Sequence, residues 1–163
     1  MSAALLRLAG VGLACAFAAP ANAQLVTHKD LSAATALAIA ETAIATCKTN
    51  GYAVSVSIVG RAGEVILQVR GDGTGPHTME NSFRKAYTSR TFRQTSGDFA
   101  KRFKDDPQLS LVWLTNVVAA QGALPIKAGD DVIGAVGVSG APGGEKDEAC
   151  VKAGIDKVAD QLK

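Results

Sequence analysis

Histidine occurs only twice in this chain and tryptophan once. With His28 and His77 as the only imidazoles, a three-histidine zinc site is excluded. Aromatic residues make up 5% of the sequence, and no RNA-binding signature accompanies them. Charge of one sign is also scarce in excess. Seventeen Lys and Arg stand against fifteen Asp and Glu, a formal net charge of +2, so nothing argues for nucleic acid or an anionic membrane surface. There is no Cys-x-x-Cys-His, which excludes covalent c-type haem attachment. There is no Gly-x-Ser-x-Gly elbow and no His-Glu-x-x-His. "VSGAPGGEKD" is rich in glycine, yet it lacks the Lys-Ser/Thr ending of a phosphate-binding loop.

Long apolar runs are confined to the start. "MSAALLRLAGVGLACAFAAPANAQ" carries Arg7, then an apolar stretch from Leu8 to Ala19, then the small-x-small pattern Ala21-Asn22-Ala23. This is the layout of a secretory signal peptide over residues 1–23. The stretch is short for a span of about 20 residues, which argues against an uncleaved anchor. Cys15 lies inside it and not at the cleavage point, which argues against a lipoprotein. Cleavage after Ala23 leaves residues 24–163 as one domain, periplasmic or secreted, with no later segment able to span a membrane.

The exported part opens with a helical pattern, "DLSAATALAIAETAIATCK", which Asp30 or Ser32 can cap. Its expected apolar stripe is Leu37, Ala40, Ile44 and Cys47. "YAVSVSIV" and "EVILQVR" alternate as strands and are joined by "GRAG" into a hairpin. "TMENSFRKAYTSRTFRQ" is helical, with Thr78 as cap and Met79, Phe83, Ala86 and Tyr87 on one side. A short helix, "DFAKRF", follows with Ser96 or Asp98 as cap. "VWL" reads as a further short strand or an irregular buried segment. Ala123–Lys127 and Val132–Ser139 form a second hairpin, and a terminal helix starts at "GGEKDEACV". Its inward candidates include Ala149, Ala153, Val158 and Leu162. Gly134, Ala135 and Gly137 let something pack very close to the last strand: a helix, a partner subunit or a flat ligand. Strands arrive as antiparallel pairs, so the fold class is α+β, a sheet with helices packed on it.

Cys47 falls late in the first helix and Cys150 early in the last. If those helices are antiparallel neighbours, the thiols are level and a disulfide ties the two ends together, as an oxidising compartment permits. The alternative is two separate buried cysteines.

His77 is the one residue with ligand chemistry to spare. It sits on a loop at the mouth of a helix, where a neutral imidazole can serve as axial ligand to iron, haem iron included. Met79 and Tyr87 can supply apolar or aromatic contact, and Arg84 and Lys85 can face anionic groups such as propionates. The plainer alternatives are a solvated loop histidine and an ordinary Glu80–Arg84 surface pair. Asp130-Asp131 suits a hairpin turn. Glu145, Asp147 and Glu148 suit the first turn of a helix, where the dipole favours acids.

"GPHTMENSFRKAYTSRTF", "LPI" and "DVIGAVGVSGAPGGEKDEACVKAGIDKV" resemble the GlcG/HbpS-like family, as does "LSAATALAIAETAIA". The family includes extracellular haem-binding proteins and the C-terminal domain of PduO-type proteins. The resemblance implies a central antiparallel sheet of about five strands flanked by helices, a profilin-like or PAS-like sandwich. It implies homo-oligomers and, in several members, haem or iron binding. His77 carries over as the histidine of the Gly-Pro-His-Thr segment. The resulting expectation is an exported protein that binds haem non-covalently as carrier or sensor. The alternative is a non-haem small-molecule sensor or interaction module, with a possible membrane sensor partner. An enzyme acting on haem or a small organic acid ranks last, since no nucleophile–base pair is recognisable.

Overall fold

The computed structural model describes residues 24–163. The leader expected over residues 1–23, Cys15 included, lies outside the described residues. In chain order the elements are α1 (Ala33–Thr49), β1 (Ser55–Val59), β2 (Val65–Arg70), α2 (Thr78–Phe92), α3 (Ser96–Asp105), β3 (Ala123–Ala128), β4 (Asp131–Ser139) and α4 (Gly144–Lys157). The strands form one antiparallel sheet in the order β2-β1-β4-β3. The sheet therefore has four strands among the described residues, one fewer than the resemblance implied. "VWL" is not a strand: Ser110–Trp113 is a 3-10 turn. Pro125 is tolerated in β3 because β3 is an edge strand.

The two faces of the sheet differ in chemistry, and alternation along β1 sets the difference. Val56 and Ile58, with Val136 and Val138 of β4, join the main apolar cluster shared with α1 and α4. Ser55 and Ser57 point the other way, toward α2. Their hydroxyls meet Thr78 Oγ1 at 2.8 Å and Ser82 Oγ at 2.7 Å, both pairs buried. The face of α2 on the sheet is therefore mainly polar: Thr78, Ser82, Lys85, Thr88 and Ser89 are buried, with Ala86. The side carrying Met79, Phe83 and Tyr87 is only half-buried, against the simple expectation from apolar spacing. Buried hydroxyls are acceptable there because they satisfy one another.

Gly137 allows this contact. A Cβ at Gly137 would lie 2.1 Å from Ser82 O and 2.8 Å from Ala86 N, so the close-packed neighbour of β4 is a helix. On the opposite face, a Cβ at Gly154 of α4 would come within 2.6 Å of Ile39 O of α1. The buried stripe of α1 is Ala36, Ile39, Ala40, Ala43 and Cys47, and Leu37 is 45% exposed. Small alanines turn inward because two partners, the sheet and α4, both approach closely. In α4 the buried residues are Asp147, Cys150, Val151 and Gly154, so of the expected inward set only Val158, just beyond the helix, is buried.

Caps follow the sequence with shifts of a residue or so. Ser32 caps α1, accepting from Thr35 N at 3.1 Å. Thr95, and neither Ser96 nor Asp98, caps α3. His77 occupies the cap position of α2 without a capping side-chain bond, and Thr78 is the first helical residue.

Contacts of Gly154 with Ile39 and of Cys150 with Cys47 run in opposite senses, so α1 and α4 are antiparallel. Cys47 and Cys150 form the disulfide, with Cα atoms 5.6 Å apart across a sequence separation of 103. Loss of this crosslink is expected to cost about 2–4 kcal/mol. Urea unfolding of the Cys47→Ser/Cys150→Ser variant checks this, and an unchanged midpoint would contradict it.

Candidate functional site

The loop before α2 is pinned at its backbone. Arg70 donates to the carbonyls of Gly75 at 3.3 Å and Pro76 at 3.4 Å. Thr78 Oγ1 donates to Gly75 O at 2.8 Å. Gly73 adopts φ +74°, a left-handed turn position suited to glycine. The His77 ring lies over Gly75, where a Cβ would fall 3.0 Å from Cε1. His77 is thus exposed on a fixed loop.

Beside it opens a cleft of about 780 Å³, walled by the start of α2, by Tyr52 and Ala53, and by the segment from Ser139 to Gly144. His77, Asn81 and Lys85 line it at spacings of four residues on one side of α2. Asn81 Nδ2 donates to Ser139 Oγ at 2.9 Å. At the base, Lys85 Nζ donates to Asp147 Oδ2 at 2.8 Å and to Val138 O at 3.1 Å. Asp147 Oδ1 accepts from Ala141 N at 3.0 Å. This pair is buried, with side chains 5% and 3% exposed. Burial pushes the Asp147 carboxyl above its ordinary value, while the Lys85 ammonium pulls it back. The pair joins α2, β4 and the loop entering α4, so it fixes the cleft's two walls relative to each other.

Next to it along α2 runs a second, smaller groove. A small depression lined by His77, Glu80, Asn81 and Arg84 leads to one of about 620 Å³ that includes Phe83, Trp113 and Leu114. Arg84 Nη2 donates to Val117 O at 2.8 Å, and Val118 N donates to Thr88 Oγ1 at 2.9 Å. These bonds tie the segment after the 3-10 turn to α2.

The residues singled out from sequence are therefore divided. His77 and Lys85 share the cleft, but the Lys85 ammonium is engaged by Asp147. Arg84 belongs to the groove. Met79 contributes its carbonyl, which accepts from Gln68 Nε2 at 2.8 Å and Ser82 Oγ at 3.0 Å. Tyr87 lies at the far end, over Gly63 and 5.9 Å from the Phe83 ring. Asn81, Ser139 and Trp113 were not anticipated, and Asp147 was read only as a dipole-favoured acid. The spacing His77–Asn81–Lys85 was the available signal. Nothing local indicated Asp147 as the partner of Lys85.

A family model described as "Haem degrading protein HbpS-like" matches residues 31–156. The chain belongs to the HbpS-like family. A crystal structure of a double mutant of Streptomyces reticuli HbpS is 31% identical and superposes with a TM-score of 0.78, covering 85% of this chain and 96% of that one. Klebsiella pneumoniae ORFY, at 23% identity, gives a TM-score of 0.77 over 87% of this chain and 98% of that one. A PduOC:haem complex, at 20% identity, gives 0.72 over 79% of this chain and 95% of that one, a likeness of fold. An uncharacterised 15.0 kDa protein of Citrobacter freundii, from the dhaT-dhaS intergenic region, is 34% identical over 90 residues, 53% of this chain. That match spans 63% of the Citrobacter protein's length.

Proposed function

We propose that this chain is an exported haem-binding protein, a carrier or sensor, that holds haem non-covalently with His77 as axial ligand. The observation that carries the reading is the placement of His77: exposed, on a loop pinned by Arg70, and bordering both depressions beside α2. Among the described residues no three His, Cys, Asp or Glu side chains converge as a metal cage. An iron held by His77 therefore needs its other ligands supplied with it, which is what a porphyrin does. Membership of the HbpS-like family and a haem complex of a protein with the same fold support the same ligand. Bound haem would supply the iron chemistry. The chain's own residues bind and orient it, and no reaction is assigned. The signal-peptide pattern and the Cys47–Cys150 bridge support a periplasmic or secreted location. No helix among the described residues is long and apolar enough to cross a membrane. Membership of the HbpS-like family supports a homo-oligomer.

Titration of apo-protein with haemin is expected to give a shifted, saturable Soret band. His77→Ala should weaken binding at least about tenfold and change the ligand-field bands. No saturable titration would overturn the haem reading. Unchanged spectra in His77→Ala would spare haem and remove the ligand.

A second reading rests on the cleft itself. Its walls mix polar side chains with glycine and small apolar residues, a buried ion pair lies at the base, and the mixture suits a small polar molecule. In that reading the domain is a non-haem sensor that reports occupancy to a membrane partner. Native mass spectrometry of protein taken from its own compartment separates the two by ligand mass.

A further inference from the structure

We propose that the haem plane lies in the groove between α2 and the 3-10 turn, against Trp113 and Leu114, and not in the larger cleft. This rests on the haem reading and decides which side of His77 the ligand takes. His77 borders both depressions, so ligation alone does not choose between them. The chemistry of the walls does. A porphyrin is a flat, largely apolar plate with two carboxylates on one edge. The cleft offers glycine backbone, Asn81, Ser139 and an ion pair whose charges already satisfy each other, and its apolar share is small side chains and Tyr52. The groove offers four large apolar side chains, Phe83, Val112, Trp113 and Leu114, beside Glu80, Arg84, Thr115 and Asn116.

Trp113 is 85% exposed and Leu114 50%, an unpartnered apolar surface beside a cation. Large rings left in water at one place mark a contact surface more often than chance placement. Arg84 is the complementary charge. Its Nη2 is fixed on Val117 O, while Nη1 reaches Glu80 Oε1 at only 3.5 Å in an exposed pair. Such a pair is weak, so an incoming carboxylate can take the place of Glu80. His77, Glu80 and Arg84 fall at i, i+3 and i+7, one stripe along α2. The groove thus presents, in order along the helix, an iron ligand, a displaceable acid and a carboxylate-binding cation, with apolar walls beside them. Glu80 is the residue that opposes the ligand's charge.

The test compares haemin titrations of the full exported chain, wild type, Trp113→Ala and Glu80→Gln, with sedimentation of each at the same concentration. Both side chains are exposed, so circular dichroism should show the same fold in all three. Trp113→Ala should weaken haemin binding about tenfold, and Glu80→Gln should tighten it. Wild-type affinity in Trp113→Ala, or no effect of Glu80→Gln, overturns the groove and leaves haem binding elsewhere intact. No saturable titration in the wild type overturns the haem reading and the groove with it. If Trp113→Ala instead dissociates a wild-type oligomer, the groove is occupied by a second copy of the chain and the proposal fails.

Discussion

Replacing Lys85 by methionine is expected to cost roughly 3–5 kcal/mol of stability, a large part of a domain's total of about 5–15 kcal/mol. The reason is asymmetry. Two opposite charges buried together are tolerable because each solvates the other. Removing one leaves the Asp147 carboxylate, 3% exposed on its side chain, with only the Ala141 N–H for compensation. The sign of the pH dependence follows from the same burial. Asp147 is already held above its ordinary 3.8, mainly by desolvation, so the native state binds this proton more tightly than the unfolded chain does. Its own contribution to stability is therefore greatest below that ordinary value and is lost as pH rises through the raised one. Without Lys85 the carboxyl rises further. The deficit of Lys85→Met relative to wild type should then be largest near neutrality and shrink on acidification. Urea midpoints measured from pH 7 down to pH 4 check this. A deficit constant with pH would remove the charge argument, and one well below 1 kcal/mol would show that the pair contributes little. A double replacement, Lys85→Met with Asp147→Leu, should recover part of the loss, because an apolar pair of similar volume needs no counter-charge.

Gly137→Ala should be nearly as damaging, at about 3 kcal/mol or more. The added methyl would sit 2.1 Å from Ser82 O and 2.8 Å from Ala86 N. Both atoms belong to the backbone of α2, so no rotamer change relieves the contact and the helix must lift from β4. Lifting α2 breaks the buried Ser57–Ser82 and Ser55–Thr78 hydroxyl pairs and shifts His77, Asn81 and Lys85 together. Two measurements are expected to move at once: the thermal midpoint falls and the haemin titration weakens. Gly51→Ala is the useful comparison. Its φ of +81° is strained for a side chain, yet nothing lies within 4 Å of the new atom, so only about 1–2 kcal/mol is expected. Equal losses in the two variants would mean that backbone strain, and not the helix contact, governs Gly137.

Much of the architecture was legible in particular stretches of chain. Val54, Val56 and Ile58 announced a buried strand face, and all three are in the core. The helices fell close to their expected limits because caps and breakers are local chemistry. The disulfide was legible as a conditional: two cysteines at opposite ends of two helices, level if the helices run antiparallel. The inward face of α2 was legible only at Ala86. Apolar spacing pointed to Met79, Phe83, Ala86 and Tyr87, of which only Ala86 is fully buried; the sheet face opposite α2 carries Ser55 and Ser57, so the helix turns mostly hydroxyls inward. A periodicity argument takes water as the only polar partner, and here the partner is another strand.

The candidate site divides the same way. His77 stood out from sequence because histidine is rare here and lies next to glycine, proline and a helix start. The partnership of Lys85 with Asp147 joins residues 62 apart and exists only once α4 is docked on the sheet. Trp113 gave no periodic signal at all, since it lies in an irregular segment whose position is set by Arg84 and Thr88 of α2. Composition and local pattern decided the elements and singled out His77, because caps, alternation and residue scarcity act within a few residues. Tertiary structure alone decided that Cys47 meets Cys150, which charges are neutralised in the cleft and that the Trp113 ring is left in water beside α2. Those outcomes depend on long-range packing, where burial changes the free energy of a charge or a ring by more than any local preference does.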